Sequence, residues 1–439
     1  MIALDRYCDL TTRRAPVRVT GRVCRVVGMS VVASGPPASV GELCRIEARD
    51  GWREAVVIGF REDELLLQPL GRIDGIRPGD AVEALAHGLS VPVGPGLIGR
   101  VISGIGEPLD GLGPIAGKAS RSVDSEPPAA LGRRPIEEIL ETGIRAVDAL
   151  CTLGKGQRIG IFAGAGLGKS MLLGEMAKYA KADINVIALV GERGREVGEF
   201  ISKVLGPEGM ARSVVIAATS DRPAVERLTA AKAAHAVAEH FRDAGLDVLL
   251  MMDSLTRFCH AQREIGLAGG EPPTVRGYPP SSFALLPGLL ERAGTGTTGS
   301  ITGIYTVLVD GDETEDPVAE TVRAILDGHL ILSRELSERA IYPSIDMSKS
   351  VSRLQVDIVS DQELALAQDA RSMWGEYQRV RDLVEIGAYN RGTDPRIDRA
   401  LDLEPRLVAF LRQGLGEASS REHALAILAR ALSGKDEAQ

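Results

Sequence analysis

Apolar and polar positions fall into three textures along the chain. From about Val17 to Ala86, short apolar runs such as VRVTGRVCRVVG, REAVVIGF and ELLLQPL are broken by SGPP, RDG and RPGD. Closely spaced short strands with turn signals between them predict a small β-barrel, with an open sheet packed on the next domain as the alternative. From about Leu97 to Ser333, near-continuous apolar runs (RIGIF, INVIALVG, RSVVIAAT, DVLLMMD, SITGIYTVLV, HLILS) alternate with helical patterns such as SMLLGEMAKYA and PAVERLTAAKAAHAVAEHFRDAG. Strands apolar on both faces belong in a mainly parallel sheet covered by helices. After about Val359 the strand signal stops. DQELALAQDARSMWGEYQRVRDLVEI has helical periodicity, GAYNRGTDPRID is a turn-rich break, and further helices follow. The expected organisation is an N-terminal β-barrel with a short leading segment over 1–93, an α/β core over 94–358 and an α-helical domain over 359–439. GTGTTGS (Gly294–Ser300) reads as a mobile loop and GKDEAQ as a frayed tail.

Composition narrows the function classes. A chain of 439 residues exceeds one ordinary domain, in keeping with the three textures. Hydrophobic residues at 44% and charged residues at 25% fit a soluble globular protein, and 4% aromatics leave the core to Leu, Ile, Val and Ala. A net charge of -9 argues against a dedicated nucleic-acid binder, whose affinity comes from neutralising phosphates. The five cysteines (Cys8, Cys24, Cys44, Cys151, Cys259) have no Cys-x-x-Cys spacing and read as small buried hydrophobes in a reducing compartment. The six histidines have no metal spacing. No apolar run reaches the roughly 18 residues of a membrane span, and MIALDRYCDLTTRRAP lacks the apolar stretch of a signal peptide. The expected location is cytoplasmic, with membrane contact only through a partner.

Three segments carry chemistry. In RIGIFAGAGLGKSMLL a strand runs into Ala163, Gly164, Ala165, Gly166, Leu167, Gly168, Lys169 and Ser170, then into a helix. Glycines let successive backbone N–H groups curl around phosphate oxygens, and the helix N-terminus adds partial positive charge. Lys169 is placed to reach the β- and γ-phosphates and Ser170 to bind Mg²⁺. The first Gly of the usual pattern is here Ala163. DVLLMMDSLTRF ends an apolar strand on Asp253, a carboxylate suited to the water shell of Mg²⁺. In VGERGREVGEF, a strand delivers an acidic residue to the same sheet edge, where hydrolysis needs a group to polarise water. Glu192 and Glu196 both compete for that task, with Arg193 and Arg195 as candidate salt-bridge partners. Glu192 lies nearer the strand end.

The order AGAGLGKS, GERGREV, LLMMDSLTRF resembles the hexameric ATPase family of the rotary ATP synthase catalytic subunits. REIGLAGGEPPTVRGYPPSSFALLPGLLERAG, DPVAETVRAILDGHLILSR, YPSIDMSKSVSR and DLVEIGAYNRGTDPRID resemble more closely the export ATPases of type III secretion, flagellar and virulence branches together. The resemblance runs from about Val17 to the C-terminal helices. It implies a RecA-like P-loop core and hydrolysis of Mg²⁺-ATP. It implies Glu192 as the glutamate that activates water, Arg193 beside it, Glu196 and Asp253 near the metal with Ser170, and Arg257 near the γ-phosphate. Tyr342 is implied as the aromatic that stacks on adenine and Arg353 as an arginine finger. Rotary synthases divide glutamate and finger between two subunit types, whereas this chain carries both, which implies a homohexamer.

The resemblance also implies partners: a stator protein, a central stalk, export chaperones and unfolded substrates, with membrane contact through an export gate. It places GEPPTVRGYPPS (Gly270–Ser281) towards a central channel, whereas its Pro and Gly content alone describes a rigid surface loop. IFAGAG and GAYNRGTDP lean flagellar; TSDRPAVERL and LSRELSERAIYP lean to the virulence branch. Three other readings compete. An ATP synthase subunit is disfavoured by Glu192 and Arg353 in one chain. A Rho-like RNA translocase is disfavoured by the acidic balance and a barrel with little aromatic surface beyond Trp52 and Phe60. A non-hydrolysing nucleotide-binding subunit is disfavoured by Lys169 with Glu192.

Overall fold

A computed structural model describes residues 19–309 and 316–434. The leading segment with Cys8, and the tail beyond Gly434, lie outside the described residues. Six strands come first: β1 (Thr20–Val27), β2 (Ser30–Ser34), β3 (Glu42–Ala48), β4 (Gly51–Arg61), β5 (Glu64–Pro69) and β6 (Ala81–Gly88). They close in the order β1–β2–β5–β4–β3–β6. Val23, Val31, Ile46, Val57, Leu67 and Val82 pack together inside. Closure pairs every strand on both sides and leaves no free edge, so the barrel is realised rather than the open sheet.

The core sheet contains β7 (Val101–Ser103), β8 (Arg158–Ala163), β9 (Ile184–Val190), β10 (Ser213–Ala218), β11 (Asp247–Asp253), β12 (Ser300–Leu308), β13 (Gly328–Ile331) and β14 (Val351–Ser352). Their order is β14–β13–β8–β12–β11–β9–β10–β7. Every neighbouring pair is parallel except β14, which runs against β13. All seven residues of β9 are buried because its alternate side chains enter two different cores. Val186, Ala188 and Val190 pack with helices α3 (Ala224–Asp243) and α4 (Leu255–Gly269). Ile187 and Leu189 pack with α1 (Lys169–Tyr179) and with Val197 of α2 (Gly194–Glu199) on the opposite face.

The C-terminal helices α5 (Asp361–Glu385), α6 (Pro395–Leu411) and α7 (Arg421–Ser433) start on side-chain caps from Ser360, Asp394 and Ser420. The Ser360–Glu363 pair forms a reciprocal capping box. Trp374 of α5 is fully buried in the same core as Leu150 and Ile159, so these helices share the sheet's second face.

Two expectations need correcting. Gly294–Ser300 is not a free loop: Gly294 and Thr295 pair antiparallel with Ile301 and Ser300. Arg133 donates to Ala293 O at 3.0 Å and Arg134 to Thr298 O at 2.7 Å, which pins the hairpin from outside. The cysteines divide: Cys44, Cys151 and Cys259 are buried, whereas Cys24 is exposed on β1. Among the described residues, no helix is long and apolar enough to cross a membrane.

Candidate active site

β8 runs directly into the Gly-rich loop, and α1 begins at Lys169. Gly166 (φ 79°) and Gly168 (φ 86°) take left-handed backbone that residues with a Cβ rarely adopt. Ala163 is different. It is the last residue of β8, in register with Leu308, and its carbonyl accepts the Val309 amide at 3.1 Å. A residue in regular parallel pairing has no need of glycine, so the departure at Ala163 leaves the loop conformation intact. Gly164 and the exposed Ala165 continue the turn, and buried Leu167 anchors it. The Leu167 carbonyl accepts a 3.0 Å hydrogen bond from Ser344 Oγ.

The parallel register brings the three chemical segments to one sheet edge. Lys169 Nζ lies 2.5 Å from Asp253 Oδ1, and both side chains are largely buried. Thr306 Oγ1 donates to the same Asp253 oxygen at 2.8 Å and fixes its orientation. Ser170, Glu192, Glu196 and Asp253 line one small cavity. Glu192 follows Gly191 (φ 70°), where an added Cβ would sit 3.0 Å from Arg257 Cβ. The absent side chain therefore lets the Glu192 segment close onto α4, which carries Arg257.

Burial, and next the Asp253 charge, push the Glu192 carboxyl up to about 7, against the pull of Lys169 and Arg257. Its Oε1 is buried without a hydrogen-bond partner. Glu196 moves the other way: a hydrogen bond with Glu192 is the main cause holding it below the usual range. A carboxyl with that environment can exchange a proton near neutrality. Arg193 points away, with its side chain 78% exposed and 3.3 Å from Glu196 Oε1.

A second cavity of about 500 Å³ adjoins Gly168. Tyr342 forms one wall, half exposed, with its hydroxyl 3.0 Å from Ser337 Oγ. Part of the lining comes from the turn between α6 and α7, where Leu415 lies. Ile144 and Met171 add to the apolar lining. Sequence reasoning missed Thr306, Ser344, Ile144, Met171 and Leu415. Met171 directly follows the loop motif and Ser344 lies within YPSID, but neither residue type signals a site by itself; for Leu415 the local signal is the Gly-rich turn RQGLGE.

Arg353 lies elsewhere. It follows β14, whose Ser352 pairs with Gly328 at the start of β13. Its amide donates to Asp327 O, and Arg158, at the start of β8, also hydrogen-bonds Asp327. The phosphate loop leaves the other end of β8. The guanidinium is exposed and donates to Arg323 O at 3.1 Å.

A parallel sheet with a glycine loop, a lysine and a strand-end aspartate at one edge defines a P-loop ATPase. Residues 143–352 match the ATP synthase alpha/beta family nucleotide-binding domain, 23–86 its beta-barrel domain, and 359–430 the T3SS EscN ATPase C-terminal domain. The chain is 50% identical to the flagellum-specific ATP synthase of Bacillus subtilis (strain 168), covering 95% of this chain and 96% of that protein. It is 51% identical to the type 3 secretion system ATPase of Xanthomonas euvesicatoria, covering 93% of each. Among solved structures it resembles the assembled ATPase EscN from the enteropathogenic E. coli type III secretion system. That likeness has a TM-score of 0.89 at 42% identity over 94% of this chain and all of that one. EscN has also been solved in complex with its central stalk EscO, at a TM-score of 0.86 and 42% identity over 94% of this chain and 100% of that one. The chain belongs to the family of flagellum-specific ATP synthases and type III secretion ATPases, and it is an ATPase.

Proposed function

We propose that the chain hydrolyses Mg²⁺-ATP at sites shared between copies of itself in a homohexamer, and that this energises protein export through a type III apparatus. The observation that carries the sharing is the position of Arg353. The length of β8, about 16 Å at strand rise, separates it from the phosphate loop of its own chain. A finger at that distance serves a neighbour's loop, and head-to-tail contacts of this kind close into rings.

In this reading the loop Ala163–Ser170 and Lys169 hold the triphosphate, and Tyr342 stacks on the base. Glu192 receives a proton from the attacking water, with Glu196 beside it. Arg257 from the same chain and Arg353 from the neighbour face the charge that develops on the γ-phosphate. Arg193, exposed in a single copy, is assigned to the same site beside Glu192. The donor set fits Mg²⁺: the Ser170 hydroxyl and the Asp253 carboxylate face one cavity, and Glu192 Oε1 in that cavity has no partner. Bound there, Mg²⁺ would supply positive charge that offsets the charge of the phosphates.

The likeness to the Bacillus protein, together with IFAGAG and GAYNRGTDP, favours flagellar assembly as the setting. The equal likeness to the Xanthomonas protein supports a virulence apparatus as the second reading. The partners are a stator, a central stalk of the EscO kind, export chaperones and unfolded substrates, met in the cytoplasm at the export gate. Gly270–Ser281, where Tyr278 stacks on His260, is the surface we assign to the stalk or to passing substrate. Replacing Arg353 by Ala in the native host tests both parts. We expect ATPase activity to fall by orders of magnitude with assembly intact, and hook and filament proteins to stay inside the cell. Full activity of the variant in assembled rings contradicts the shared site. Normal flagella with lost effector secretion selects the virulence reading.

A further inference from the structure

The cavity beside Gly168 takes its walls from distant parts of the chain: Ile144 ahead of the short helix Arg145–Leu150, Tyr342 after β13, and Leu415 in the turn between α6 and α7. Gln413, only 9% exposed, touches the backbone of all these segments. Its amide donates to Tyr342 O at 2.8 Å. Its Oε1 accepts from the Arg145 amide at 2.8 Å. Its Nε2 donates to Gly143 O at 2.7 Å and to Glu417 O at 2.5 Å. The same turn is tied to α1, where the Gly416 amide donates to Glu175 Oε2 at 2.7 Å. Both amide hydrogens and the carbonyl oxygen of Gln413 are therefore committed, and the donors and acceptors around it leave one orientation for the side chain.

We infer that Gln413 is a positioning residue for the nucleobase, resting on the reading that the Lys169 loop and the Tyr342 cavity hold ATP. Its side chain sets the spacing between Ile144 and Leu415, its backbone N–H holds Tyr342, and together they fix the width of the slot that clamps the base. The phosphates are held independently by the loop. Gln413 contributes no atom to the reaction and no contact to the phosphates. Its loss weakens ligands in proportion to what the base contributes.

Gln413→Met keeps length and apolar volume and removes the side-chain hydrogen bonds. In the full chain, ATP hydrolysis and competitive inhibition by tripolyphosphate, which has no base, are measured together. The expected result is a KM for ATP raised about tenfold, a kcat lowered by less than about threefold, and tripolyphosphate inhibition within about twofold of wild type. A KM within twofold of wild type, or equal weakening of ATP and tripolyphosphate, overturns the inference. Should the Met variant not fold, Gln413→Asn keeps the amide chemistry but shortens its reach by one methylene, and carries the same comparison without a change of charge. Failure of tripolyphosphate to inhibit the wild-type chain points instead to the phosphate-loop reading and removes both.

Discussion

At the scale of single residues, Ala163 and Glu192 show what chemistry writes into a sequence and what only packing decides. The loop Ala163–Ser170 is contiguous because the phosphates need successive backbone amides, so it was readable at once. Only the register with Leu308 shows why Ala163 is harmless there. Ala163→Gly therefore should leave the KM for ATP within about twofold and lower stability by about 0.5–1 kcal/mol, the entropic cost of glycine in a strand. A tenfold gain in affinity, by ATP titration, contradicts this. Residue types alone left Glu192 and Glu196 competing. Burial separates them: Glu192 turns a partnerless oxygen into the cavity, while Glu196 pairs with Arg193 at the surface. Thr306 and Leu415 were illegible because each acts through a contact distant in sequence.

Among the elements, long apolar strands were legible and short or edge ones were not. INVIALV and DVLLMMD are buried on both faces, and such runs have few alternatives. β7 has three residues and is recruited only by pairing with β10, so no local signal announces it. The hairpin at Gly294–Ser300 is likewise held by Arg133 and Arg134 from another segment. The packing of α3 on the sheet carries a pH signature. His235 of α3 is fully buried, with Nδ1 2.8 Å from Ala231 O and Nε2 3.0 Å from the Tyr305 hydroxyl. Burial, then the nearby Arg292 charge, push it down to about 3 from 6.5. Below pH 6.5 the unfolded chain takes up a proton that the folded chain refuses, so stability present above 6.5 is lost as pH falls. At pH 5 the loss is about 2 kcal/mol. Melting temperatures between pH 7 and 5 should fall less steeply in His235→Gln than in wild type. Parallel slopes refute the assignment.

Across the whole molecule, three textures of hydrophobic pattern became a closed barrel, an eight-strand path with helices on both faces, and a helical bundle that shares one of those cores. The pattern could not show that the C-terminal turn reaches back to the cavity beside Gly168, since that depends on how α5 to α7 dock. Nor could it show that Arg353 sits at the far end of β8 from Lys169. That separation is what makes a lone chain an incomplete enzyme in this account: water activation and phosphate binding at one surface, the finger at another. Rate per chain should then rise with protein concentration as rings form.

The most direct measurement mixes two inactive variants. Glu192→Gln keeps Arg353 and loses the carboxylate assigned to water activation; Arg353→Ala keeps Glu192 and loses the guanidinium assigned as the finger. Each alone should be nearly inactive. Combined in equal amounts and allowed to exchange within rings, about a quarter of the interfaces unite an intact Glu192 with an intact Arg353 from the neighbour. ATPase activity should return to roughly that fraction of wild type. A mixture that forms rings and stays as inactive as its components contradicts the shared site.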